Sequence, residues 1–133
     1  TRSEKGYFDE SFEKNALTND PDMWSYLIEQ TTKHPSLKVG GPSTRWVASA
    51  LKETFKLSKL QSPKIPCITF LAEDERIVDP TRVYNRMKGW PNGILHVINS
   101  AKHEVLMEDI NTQRYVIKKI VAFFQSDERS LSK

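Results

Sequence analysis

Two short runs, Ile65 to Leu71 and Ile94 to Ile98, are mostly apolar and rich in β-branched and aromatic side chains. Neither alternates cleanly between apolar and polar, so both read as strands buried on two faces. Pro66 stands at the entry of the first run, where a missing backbone donor is tolerated. Between the runs, Asp79-Pro80 opens a helix that carries Val83, Tyr84 and Met87 and closes near Gly89. A last helix, roughly Asn111 to Gln125, places Val116, Ile117, Ile120, Val121 and Phe124 on one face. Strand, helix, strand, helix at this spacing predicts the α/β class, with a parallel sheet wound by right-handed crossovers.

Two such strands make only a sliver of a parallel sheet, which needs cover on both faces and partners at its edges. The chain therefore reads as the C-terminal part of a larger α/β domain. Its start, polar and without an initiator Met, is taken as a hint of the same thing.

The first half supplies helices. Residues 1–19 read as an extended or irregular lead-in anchored by Tyr7, Phe8 and Phe12. Asp20-Pro21 then signals a helix start, Met23, Trp24, Leu27 and Ile28 recur at helical spacing, and the segment ends before Pro35. Gly40-Gly41-Pro42 is a hard break, after which Ser43 caps a helix with the stripe Trp46, Val47, Ala50, Leu51 and Phe55.

Composition narrows the function classes. With 133 residues, 38% hydrophobic and 28% charged, the chain has room for one compact domain and is not wholesale disordered. No run approaches the ~20 apolar residues of a membrane span, and no apolar stretch follows the charges of Thr1 to Gly6, so no signal peptide is expected there. The single cysteine, Cys67, excludes an internal disulfide framework and the usual zinc-ligand spacings. It sits in an apolar strand and reads as a core thiol. The net charge of +3 is spread thinly, an excess of one over residues 1–62 and two over the rest. Nucleic acid is not an expected partner, because duplex binding needs a concentrated basic face. A weak attraction to an anionic membrane surface stays open.

In open parallel sheets the working groups gather beyond the carboxyl ends of the strands. The loop after the first strand holds Glu73, Asp74 and Glu75; the loop after the second holds His103 and Glu104. A carboxylate that orients a histidine is two thirds of a nucleophile–base–acid triad. An acid some 28 residues ahead of the histidine leaves room for one helix and one strand. Other constellations fail. His103-Glu104 begins a zinc-protease motif, but Met107 stands where its second histidine belongs. His34, His96 and His103 show no ligand spacing, and His96 alternates within a strand, where a bonded partner is expected. No phosphate-cradling glycine loop occurs, and the two-thirds triad is a chemistry for which no cofactor or metal is expected.

Two blocks carry a family resemblance: Pro66-Cys67-Ile68-Thr69-Phe70-Leu71-Ala72-Glu73-Asp74-Glu75-Arg76-Ile77-Val78-Asp79, and Ser100-Ala101-Lys102-His103-Glu104-Val105-Leu106-Met107-Glu108. Together they resemble the C-terminal third of serine α/β-hydrolases, closest to the monoacylglycerol lipase and lysophospholipase branch. Asn15-Ala16-Leu17-Thr18 and Val39-Gly40-Gly41-Pro42-Ser43-Thr44-Arg45-Trp46-Val47 look like bacterial inner-membrane lysophospholipases. The resemblance spans about residues 11–125. It implies the C-terminal portion of an α/β-hydrolase fold, a single incomplete domain, with residues 1–42 as lid or cap segment. Residues 43–133 would form the C-terminal part of the core, the last two parallel strands with flanking helices.

The family's catalytic histidine falls on His103; the plain alternative is a solvated loop histidine. The acid, usually Asp in a Gly-x-x-Asp pattern, falls on Glu75, with Ala72 in the Gly place. Glutamate is an accepted triad acid, though its extra methylene changes its reach. Asp74 competes, and register favours Glu75; Asp79 reads as a helix cap because Pro80 follows it. The nucleophile's Gly-x-Ser-x-Gly elbow is missing. Its one imitation, Gly41-Pro42-Ser43-Thr44-Arg45, lacks the second Gly, and the resemblance places it near the cap. The nucleophile and oxyanion donors are thus expected upstream, and this chain alone is expected to be inactive.

The resemblance implies a serine esterase that releases a fatty acid from a lysophospholipid or monoacylglycerol through an acyl-enzyme. The implied partners are a lipid-like ester and the remaining, N-terminal part of the same domain, with peripheral membrane contact open. Another α/β-hydrolase chemistry, peptidase or carbon–carbon hydrolase, and an inactive interaction module are the alternatives. One cysteine and no export signal suggest cytoplasmic residence, peripheral on the inner membrane in the family's manner.

Overall fold

The computed structural model describes residues 11–38 and 40–131, with side chains through Ser126. Tyr7, Phe8 and Val39, which the sequence singles out, lie outside the described residues. Among the described residues four helices and two strands follow in order: α1 (Pro21–Lys33), α2 (Thr44–Ser58), β1 (Cys67–Ala72), α3 (Pro80–Lys88), β2 (Gly93–Ile98) and α4 (Ile110–Leu131). Short 3-10 turns occur at Phe12–Lys14, Pro35–Leu37 and Val105–Met107.

The described chain divides into two compact units. One runs up to Asn15 and over Pro21–Gln61; the other joins Ala16–Asp20 to everything from Ser62 onward. In the first, α1 begins at Pro21 as its sequence signal requires. Ser43 Oγ accepts the Trp46 N–H at 3.2 Å and starts α2, so this serine serves as a cap. The stripe that the sequence draws on α2 is not buried: Trp46, Leu51 and Phe55 are exposed.

In the second unit, β1 and β2 pair in parallel, from Cys67 opposite Gly93 to Ala72 opposite Ile98. The expected strand start at Ile65 moves two residues on, because Ile65 and Lys64 use their carbonyls elsewhere. Trp90 Nε1 donates to Ile65 O at 2.9 Å, and Asn92 Nδ2 donates to Lys64 O at 3.1 Å. Pro66 supplies no donor in between. Asp79 caps α3 by accepting the Thr81 N–H at 3.0 Å, with Pro80 in the first helical position and Gly89 closing the helix.

The core of this unit is small: Ala72, Ile98, Ala101 and Val116, with Phe70, Val105 and Ile120 packed against it. Burial of both strands on two faces does not hold. Leu71, Ala72 and Ile98 are buried, whereas Ile94 and Val97 are 47% and 41% exposed. A two-stranded sheet has too few neighbours to cover them. On α4, Val116 is fully buried, while Ile117, Val121 and Phe124 are exposed. His96 finds rings rather than a polar partner, stacking on Phe70 at 5.5 Å and meeting Tyr115 edge-on at 6.3 Å.

Gly93 opens β2 where a side chain has no room. A Cβ there would lie 2.8 Å from both Met87 Cε and Trp90 Cβ. The methionine tip can swing aside; the Trp90 Cβ is tied to the turn whose carbonyl accepts the Gly93 N–H. Gly93→Ala is therefore expected to cost about 1–3 kcal/mol in urea unfolding of the full-length protein, the usual penalty of overpacking. An unchanged midpoint would show that the turn yields freely.

Candidate active site

The common end of β1 and β2 sends two loops out side by side. They are stitched together before any chemistry is considered. Glu73 N–H donates to Ile98 O and Asp74 N–H to Ala101 O, both at 3.0 Å, which continues the ladder past the last strand pair. Glu73 Oε2 accepts the Ser100 N–H at 2.7 Å, and Asn19 Nδ2 donates to the Ser100 carbonyl at 2.8 Å. Ser100 has φ of 55°, a left-handed backbone that costs a non-glycine residue roughly 1–3 kcal/mol. These two bonds hold it there, and the chain turns sharply toward His103.

The structure brings His103 and Glu75 together: Nδ1 lies 2.7 Å from Oε2. The other oxygen, Oε1, accepts the N–H groups of Ile77 at 2.7 Å and Val78 at 3.1 Å. The Glu75 side chain is only 4% exposed; that of His103 keeps 29%. Burial by itself raises the Glu75 carboxyl, but the bond from His103 and the two amides favour the charged form more, so its pKa lies below the ordinary value. An ionised carboxylate can only accept, so Nδ1 carries the proton. In the neutral ring Nε2 is then left with the lone pair of a base.

The competing acid goes elsewhere. Asp74 Oδ1 pairs with Arg76 Nε at 2.8 Å. Asp79 is occupied with Thr81 and Arg82 at the start of α3. Cys67 is half-buried with its Sγ 3.7 Å from Thr69 Oγ1. Among the described residues no cluster of His, Cys, Asp and Glu is arranged to hold a metal.

Sequence reasoning missed the contribution of residues 16–20. Ala16 O accepts the His103 N–H at 3.3 Å, and Leu17 O accepts the Glu104 N–H at 2.9 Å. Thr18, fully buried, donates to Met107 O at 2.6 Å. Glu108, the last residue of the second motif, is 3% exposed. Such contacts leave no periodicity to read. The available signal was Glu108 itself, an acid placed just ahead of the helix cap Asp109, whose Oδ1 accepts the Asn111 N–H at 2.8 Å.

With this geometry in view, the likeness to known proteins becomes specific. No family model matches the chain. A probable lysophospholipase L2 of Haemophilus influenzae is 34% identical over 121 residues, covering 90% of this chain and 39% of that protein. Lysophospholipase L2 of Escherichia coli is 30% identical over 122 residues, covering 85% of this chain and 36% of that protein. A soluble variant of monoglyceride lipase from Saccharomyces cerevisiae, crystallised with a substrate analog, superposes with a TM-score of 0.72 at 17% identity. That match takes in 95% of this chain and 44% of the lipase. The chain thus has the fold of the C-terminal portion of an α/β-hydrolase. The chain spans less than half the length of each of these relatives.

The depressed Glu75 carboxyl makes acid stability a test of the pair. A group whose pKa is lower folded than unfolded adds stability that is complete above its unfolded value, about 4.3. That stability is lost as pH falls through the lower folded value. Glu75→Gln in the full-length protein is expected to remove this part of the acid limb in urea unfolding measured against pH. A variant whose acid limb matches the parent would mean that Glu75 is not held in the charged form.

Proposed function

We propose that this chain is part of a serine esterase that releases a fatty acid from a lysophospholipid or monoacylglycerol, with His103 as base and Glu75 as its orienting acid. The observation that carries the reading is the 2.7 Å His103–Glu75 bond at the adjacent ends of two parallel strands. The names of the relatives support the substrate class. In this reading residues 1–42 form the lid or cap segment and 43–133 the C-terminal part of the core. The rest of the same domain supplies the nucleophilic serine, the oxyanion donors and further strands.

The mechanism follows from the tautomer. His103 Nε2 takes the proton of the serine hydroxyl as its oxygen attacks the ester carbonyl, and Glu75 stabilises the imidazolium that forms. The tetrahedral intermediate collapses with cleavage of the ester C–O bond, and Nε2 returns the proton to the departing alcohol. Water then adds to the acyl-enzyme, giving its proton to His103. Collapse releases the fatty acid and restores the serine. No metal or redox group takes part. Cytoplasmic residence with peripheral contact at the inner membrane suits such a substrate. Among the described residues no helix is long and apolar enough to cross a membrane.

Two measurements on the full-length protein test this. A fluorophosphonate is expected to form one covalent adduct, on a serine outside this chain. His103→Ala is expected to lower turnover of a monoacylglycerol or lysophospholipid by about 10²–10⁴-fold, the usual share of a general base, with stability nearly intact. Retained turnover would remove His103 from the chemistry. A substrate panel that favoured amides or carbon–carbon bonds would replace the esterase with another hydrolase.

A further inference from the structure

Glu108 is a buried carboxylate that the mechanism above does not use. At 3% exposure it lies in a fold whose other acidic side chains mostly reach water. Both of its oxygens are committed to backbone. Oε1 accepts the Lys102 N–H at 2.6 Å, and Oε2 accepts the Asn19 N–H at 3.0 Å. Its own backbone carbonyl accepts from Gln113 Nε2 at 2.7 Å, which ties it to the first turns of α4. The carboxylate therefore joins the His103 loop to the segment Ala16–Asp20, and the backbone of the same residue ties both to the start of α4.

The three consecutive amides around the histidine are all held. Lys102 N–H goes to Glu108, His103 N–H to Ala16 O and Glu104 N–H to Leu17 O. Residues 16–20 are fastened in turn. Thr18 Oγ1 donates to Met107 O at 2.6 Å and accepts the Asp20 N–H at 2.9 Å, while Lys102 Nζ lies 3.4 Å from Thr18 O. Among the described residues, the one bond on the imidazole itself is donated by Nδ1 to Glu75. Glu75 sets the rotation of the ring; something else must set where its Cα lies.

We propose that Glu108 and Thr18 are positioning residues, which clasp segment 16–20 to the His103 loop and fix the backbone from which the catalytic base projects. The proposal rests on the reading of His103 as the base. A loop free to shift by an ångström would leave the fold standing while Nε2 misses the serine proton. Such displacements can cost on the order of 10²-fold in rate. The clasp acts on the chemical step and not on substrate capture, so its loss lowers kcat and leaves KM alone.

The test uses the full-length enzyme and compares Glu108→Ala, Glu108→Gln, Thr18→Val and His103→Ala, with kcat and KM corrected for the folded fraction well below each melting temperature. Glu108→Ala is expected to lose roughly 10–100-fold in kcat at near-constant KM. Glu108→Gln keeps a single acceptor oxygen and is expected to fall between Ala and the parent. Thr18→Val, which keeps the carboxylate and the side-chain shape, is expected to lose kcat in the same manner by a smaller factor. If Glu108→Ala does not fold, Thr18→Val decides alone. Folded Glu108→Ala and Thr18→Val with parental kcat, beside an inactive His103→Ala, would reduce the clasp to a scaffold and overturn the proposal. Full turnover in His103→Ala would instead overturn the active-site reading on which it rests.

Discussion

Ala72 lies opposite Ile98, and both strands stop at that pair, so the loops that follow leave the sheet as neighbours. Everything at the site inherits this register. Strand residues rise ~3.3 Å each, and a slip of one position would also turn every side chain to the opposite face. A shift of that size is larger than the whole 2.7 Å separation of His103 Nδ1 and Glu75 Oε2. The register is protected at both ends. Asn92 O accepts the Cys67 N–H at the start, and Ile98 O accepts the Glu73 N–H past the finish.

Carboxylates finish what the register begins, because loops beyond a sheet leave backbone N–H groups without ladder partners. Glu73 takes the amide of Ser100, Glu75 those of Ile77 and Val78, and Glu108 those of Lys102 and Asn19. Charged acceptors make stronger bonds than neutral ones, so these crosslinks suit loops that must not drift. Of these three, Glu75 alone divides its oxygens between backbone and a side chain. Its Oε1 secures its own loop, which leaves Oε2 at a fixed place for the imidazole.

The parts of this architecture visible in the sequence are those with a local signature. Asp79-Pro80, Gly89 and Ser43 mark helix ends by the chemistry of single residues, and the structure uses each in that role. The apolar runs mark the strands, and the acid-rich and histidine-bearing loops follow directly from where those strands end. Choosing Glu75 over Asp74 needed the register of a resembling motif. In the structure Asp74 pairs with Arg76, while Glu75 bonds His103. What stayed hidden is long-range. The bonds from Thr18 and Asn19 to Met107 and Glu108 close 89 residues of chain, and no periodicity records such a pairing. Burial is also not legible in the sequence. Apolar runs report what a residue would gain by being covered, not whether a covering layer is present.

That gap bears on how the site works. Ile94, Val97, Ile117, Val121 and Phe124 are all exposed, and covering a large aliphatic or aromatic side chain gives about 1.5–3 kcal/mol. A two-stranded sheet is marginal on its own. Its stabilising neighbours, on the proposed reading, are the strands that also bring the serine. The histidine and its acid would then depend on the same absent layer twice, for a nucleophile to activate and for a sheet rigid enough to hold the register. The crosslinked loop end stands apart from that dependence. Its bonds run among residues 16–20, 73–78 and 98–113, all within one compact unit, so the relative geometry of His103 and Glu75 is fixed by contacts inside that unit.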